Sequence, residues 1–128
     1  MKARYTVTLA AVVGFGFGAV VVESLHAQAK PPVYQITEIN VTNQDAYVKE
    51  YVPKVQAGLK AAGGRILTAG GKVTGLEGTP PATRVAVSVW DSQERIQAWR
   101  NSAAFKEARK IGDKYAKFRA FSVEGVPQ

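Results

Sequence analysis

The sequence predicts an α+β sandwich: one four-stranded antiparallel sheet with two helical segments packed on one face. Three observations carry this. Short β-branched runs and helical-period stretches alternate in the order β-α-β-β-α-β after residue 30. Glycine, proline and capping residues fall between those runs, where chain turns require them. The 128-residue chain suits one domain and is too short for two with separate cores.

The elements follow in order. Val33–Val41, "VYQITEINV", reads as a first strand. Thr42 and Asn43 offer an N-cap and Asp45 a first-turn acid to a helix carrying Tyr47, Tyr51, Val52, Val55 and Leu59 at helical spacing. Pro53 removes a backbone donor and should kink that helix near Val52. Gly63 and Gly64 close it with a left-handed cap. Arg65–Gly71 is a short second strand, "KVTGLEGTPPAT" a connection, and Arg84–Trp90 a third strand. Asp91 or Ser92 caps a second helical stretch through Ile96 and Trp99, reset near Asn101 and Ser102, that reaches about Ala116. "FRAFSVEG" is the last strand. This is the ferredoxin-like order.

Residues 1–29 read as a targeting segment. "MKAR" is a positive head, an uncharged apolar stretch follows, and Ala27 and Ala29 form the A-x-A pattern of a signal-peptidase site. Cleavage after Ala29 leaves a domain of residues 30–128, periplasmic or secreted. The competing reading is an uncleaved anchor, since Tyr5 to Val22 reaches the lower length limit of a membrane span and Gly14 and Gly18 form a small-xxx-small pair. Membrane association is expected only through that segment.

Cleavage also removes His26, the only histidine, and the chain has no cysteine. Thiolate catalysis, Ser-His-Asp triads and His- or Cys-ligated zinc or haem are thereby excluded from the mature domain, so no metal and no cofactor is expected. The mature net charge of +6, from 15 Lys and Arg against 9 Asp and Glu, permits acidic partners without requiring them.

Strand alternation suggests the faces. Val85, Val87 and Val89 form a valine stripe assigned to the helices, which leaves Arg84, Ser88 and Trp90 on the other side. Phe118 and Glu124 are placed with them, and Tyr34, Ile36 and Glu38 complete the set. A helix-free face bearing Tyr34, Ile36, Ser88, Trp90 and Phe118 predicts a homodimer that buries these side chains around a shared ligand cavity.

Several strings are similar to the bacterial domain of unknown function 1330 family, within the dimeric α/β-barrel group: "VTNQDAYVKEY", "AAGGRILTAGG", "SAAF" and "KIGDKYAKFRAFSVEGV". "LHAQA" before "KPP" resembles the exported variety. The resemblance implies the fold and supplies no catalytic residue. Relatives of this architecture include cofactor-free monooxygenases, isomerases and haem-binding enzymes.

Among candidate sites, the basic run from Lys106 to Lys117 reads as the solvated side of an amphipathic helix. Phe105, Ala108, Ile111, Gly112 and Tyr115 point inward, while Lys106, Arg109, Lys110, Lys114 and Lys117 point out. With the aromatics turned inward it offers no base-stacking platform, so no nucleic-acid partner is expected. "AGGKVT" lacks the glycine and hydroxyl positions of a phosphate loop and reads as a turn. Glu77 reads as solvated or at a dimer seam.

The leading expectation is an exported dimeric domain that binds a small molecule. The alternative is a cofactor-independent enzyme, monooxygenase- or isomerase-like, using Glu38 or Glu124 as base and Arg84 to clamp an anion.

Overall fold

The computed structural model describes residues 30–127; the expected signal segment with Ala27 and Ala29 lies outside them. Residues 32–125 fold as one compact unit. Strand β1 (Val33–Val41) leads into α1 (residues 44–61), then β2 (Arg65–Thr68) and β3 (Arg84–Trp90). The second helical stretch divides into α2 (Gln93–Asn101) and α3 (Ala103–Gly112) before β4 (Ala116–Glu124). The sheet is antiparallel in the order β2-β3-β1-β4, the ferredoxin-like arrangement the sequence predicts.

Local chemistry explains the boundaries. The Asn43 side chain accepts from Ala46 N at 3.2 Å and starts α1. Residues Tyr47–Tyr51 then form a π turn, closed by Val52 N donating to Tyr47 O, before regular helix resumes at Val52. Pro53 has no N–H for an i→i−4 bond, and at the expected irregularity near Val52 the helix carries this π turn just before the proline and continues beyond it. Gly63 adopts φ +106°, and Gly64 N donates to Leu59 O at 3.0 Å, completing the cap. Ser92 caps α2. Ser102 both ends α2 and begins α3: its Oγ donates to Trp99 O at 2.6 Å and accepts from Phe105 N at 3.2 Å. Helix α3 ends at Gly112, earlier than expected, because β4 begins at Ala116 to pair with Val41. β2 stops at Thr68, where an irregularity lets the Thr68 Oγ1 stand in the ladder, donating to Val85 O and accepting from Val87 N, each at 3.1 Å.

The register reverses the expected face of β3. Val85, Val87 and Val89 lie beside Glu38, Ile36 and Tyr34, on the helix-free side with Phe121 and Val123. Trp90 and Ser88 lie beside Val33 and Gln35, beneath the helices. Trp90 is 2 % exposed and packs with Val33, Ile96, Trp99 and Phe105. Phe118 packs with Tyr47 and Tyr51 in the second half of the core. The valine stripe is therefore the outer face, and the helices instead meet Ala86, Ser88 and Trp90. Two features make this side the fitting one. Its small residues leave room for aromatic rings descending from α1 and α3, and Gly64 lets the chain lie directly on Trp90, where a Cβ would come within 2.5 Å of the ring.

Candidate functional site: an arginine-lined cavity

Between the sheet and the helices lies a cavity of about 70 Å³. Its floor includes Gln35 of β1 and Ala86 and Ser88 of β3, and its roof the apolar side of α1. The π turn turns Tyr47 and Tyr51 inward, both buried, with ring centroids 5.2 Å apart. Three arginines reach it from three elements: Arg84 from β3, Arg100 from the last turn of α2 and Arg109 from α3.

The arginines are held by rings and neutral groups. Arg84 lies 4.9 Å from the Tyr47 ring centroid, and Arg109 lies 3.7 Å from Phe118 and 4.9 Å from Phe105. Arg100 lies 4.7 Å from the Phe105 ring centroid. Arg109 Nε donates to the Tyr51 hydroxyl at 3.4 Å, and Arg100 Nη1 donates to Gln35 Oε1 at 3.3 Å. Gln35 Nε2 donates in turn to Ser88 Oγ at 3.2 Å, which also accepts from Trp90 Nε1 at 2.9 Å.

No Asp or Glu lines the cavity. The ion pair found among the described residues, Glu38 with Arg119 at 2.8 Å, lies on the opposite, helix-free face. Burial, and after it the charge of Arg109, lowers the Arg100 guanidinium from its ordinary value. Burial pushes the Tyr47 phenol up to about 12 despite the opposing pull of Arg84, and raises Tyr51 despite Arg109. Both phenols therefore remain protonated at neutral pH and able to donate. The walls offer guanidinium N–H and phenol O–H groups on a surface of apolar side chains and neutral polar ones such as Gln35 and Ser88, the chemistry that can receive an anion.

The sequence-derived candidates divide between the two faces. Arg84, Ser88 and Phe118 do line this cavity. Trp90 supports it from below through Ser88 and is a core residue, not a dimer-face one. Tyr34, Ile36 and Glu38 face away from it, by register with Val89, Val87 and Val85. Glu124, at the exposed end of β4, and Glu77 are also absent from the lining. Of the two bases expected, Glu38 thus lies on the opposite face from Arg84, and Glu124, beside Val33 in the register, lies outside the cavity lining. The cavity itself lies within one protomer, not across the sheet face.

Tyr47, Tyr51, Gln35, Arg100 and Arg109 were not legible as site residues. Arg109 is the instructive case, since it reads as solvated among Lys106 and Lys110, both of which are exposed. Its i+4 relation to Phe105 was the available signal, for that spacing stacks both on one side of α3.

Among the described residues no helix is long and apolar enough to cross a membrane, and no His, Cys, Asp or Glu cluster is arranged to hold a metal. No curated protein matches the chain. Among solved structures, a protein of unknown function from Rhodopseudomonas palustris is similar at 13 % identity and TM-score 0.63, over 77 % of this chain and 85 % of that one. A cofactor-independent oxygenase from Streptomyces nogalater is similar at 11 % identity and TM-score 0.55, over 73 % and 91 %. A conserved protein from Bacteroides thetaiotaomicron, described as a possible oxidoreductase, is similar at 15 % identity and TM-score 0.52, over 75 % and 99 %. At these identities the likeness is one of fold. The family described as Domain of unknown function (DUF1330) matches residues 32–126, which takes in every strand and helix above, and the chain belongs to that family.

Proposed function

We propose that this domain binds a small organic anion, a carboxylate on an apolar body, in the cavity between sheet and helices. The observation that carries this is the convergence of Arg84, Arg100 and Arg109 on a pocket lined by no carboxylate. Cations withdrawn from water are costly unless paired, and for these half-buried arginines the partners are rings, a phenol and an amide. An entering carboxylate supplies the missing charge and accepts from several donors at once. Ile36, Val85, Val87 and Val89, with Phe121 44 % and Val123 52 % exposed, form an apolar sheet face that a second copy of the chain would cover. We further propose that the domain acts outside the cytoplasm, on the strength of the leader pattern in residues 1–29.

The test compares valerate with its neutral analogue valeramide by thermal denaturation of the purified protein. Valerate is expected to raise the midpoint in a concentration-dependent way while valeramide does not, and Arg84→Met with Arg109→Met should abolish the shift. Equal stabilisation by the amide would refute the anionic reading.

A further inference from the structure

Beside the arginine cavity lies a second chamber of about 120 Å³, between α2 and β4. The two share Gln35 and Arg100 in their walls. These two shared residues are bonded to each other, Arg100 Nη1 donating to Gln35 Oε1 at 3.3 Å, and so form part of the partition. That length is beyond the usual N–H···O range, so the bond is weak. The chambers differ in chemistry. To the shared Arg100 the first adds Arg84, Arg109 and mostly apolar side chains, whereas the second adds the amides of Gln93 and Gln97 and the hydroxyl of Ser122 beside Ile96, Ala120 and Phe121. Ser122 Oγ already donates to Gln93 Oε1 at 2.6 Å.

Resting on the anion-binding reading above, we infer that the two chambers form one ligand site, and that the ligand is an organic acid with an N–H or O–H donor several bonds from its carboxylate. A carboxylate competes with Gln35 for the Arg100 guanidinium, because a bond of about 2.7–2.9 Å between two charged groups is stronger than this long one to a neutral amide oxygen. Gln35 is 6 % exposed, and its Nε2 is already committed to Ser88. Its Oε1 is then left buried without a donor, which costs as much as the new bond gains unless the ligand supplies one. A carboxamide or hydroxyl passing the partition satisfies Gln35 Oε1 and continues to the amides of Gln93 and Gln97. A purely apolar tail leaves Gln35 Oε1 unserved and makes no bond to the amides beyond it. The arginines therefore select for charge, and Gln35 together with the Gln93 and Gln97 amides selects for a donor at a fixed reach from it.

The experiment measures calorimetric dissociation constants for valerate and 4-carbamoylbutanoate, which share a four-carbon reach but differ in the terminal amide. The carbamoyl acid should bind roughly three- to tenfold more tightly, as one net hydrogen bond provides. In Gln93→Leu/Gln97→Leu the ratio should fall toward one. Equal affinities in the wild-type protein, or a ratio unchanged in the double variant, overturn the inference while leaving anion binding intact. Failure of valerate to bind overturns the anion reading itself, and the two-chamber inference with it. The wild-type ratio decides alone, so a variant that does not fold leaves the test valid.

Discussion

Replacing Trp90 with alanine should destabilise the folded protomer severely, and not merely its association. The side chain is 2 % exposed, packed against Val33, Ile96 and Trp99, overlain by Gly64, and bonded through Nε1 to Ser88. Truncating a buried tryptophan costs about 3–5 kcal/mol. For a domain of this size each kcal/mol moves the melting midpoint by about 4–8 °C, so the expected fall is on the order of 15–30 °C. In urea the midpoint should drop by about 2–5 M at a slope of ~1–1.5 kcal/mol/M. The control is Val89→Asp, on the helix-free face between Tyr34 and Arg65 in the register. Its cost to the protomer should be about 1 kcal/mol, with cooperative unfolding retained. Sedimentation of the same variant should show loss of any dimer built on that face. Urea unfolding by circular dichroism checks both. If Trp90→Ala unfolds within 0.5 M (roughly the resolution of such midpoints) of wild type while Val89→Asp collapses, the face assignment fails, and the arginine cavity fails with it.

Four further outcomes are expected. Alkaline stability should fall between about pH 10 and 12: the folded pKa of Tyr47 lies above its ordinary value, so its contribution is complete below pH 10 and lost as pH rises through about 12. Tyr47→Phe should flatten that limb in denaturation followed across the range. Gly58→Val should destabilise by about 1–3 kcal/mol, since even a Cβ there comes within 2.6 Å of the Trp99 ring; thermal melts measure it. Changing Lys106, Lys110 and Lys117 to Glu, all at exposed positions, should leave the circular dichroism spectrum unchanged and reduce only salt-sensitive adsorption to anionic resin. Protein recovered from its host should begin at Lys30 by intact mass; retention of Met1 in a membrane fraction would favour the anchor instead.

Element order was legible because each boundary has local chemistry. Asn43, Gly63, Ser92 and Ser102 act through their own nearest backbone groups, and those contacts follow from spacing alone. The face of β3 was not legible, because both of its sides are substantially apolar. Alternation separates Val85, Val87 and Val89 from Ala86, Ser88 and Trp90 but does not say which set the helices cover. Pairing decides it. Val33, Gln35 and Ile39 are the buried residues of β1, and the register carries Trp90, Ser88 and Arg84 to their side. Long-range pairing of this kind is set by the whole sheet and leaves no mark within one strand.

The same limit hid the cavity and explains its composition. An arginine announces itself in sequence as a surface residue, and most here are surface residues. Arg84, Arg100 and Arg109 come from three separate elements, and only the closed fold brings them to one space. Once there, each guanidinium lies against an aromatic ring, which keeps part of the cation's electrostatic stabilisation while excluding water. Rings stabilise a cation without neutralising it, so the positive potential of the pocket persists. A neutralising carboxylate from the protein, such as Glu38 turned inward, would have stabilised the empty fold and cancelled that potential. Glu38 instead faces the other side and pairs with Arg119. On the proposed reading, an anionic ligand would offset the partial desolvation of Arg100, and the stability of the domain would rise with occupancy of the site.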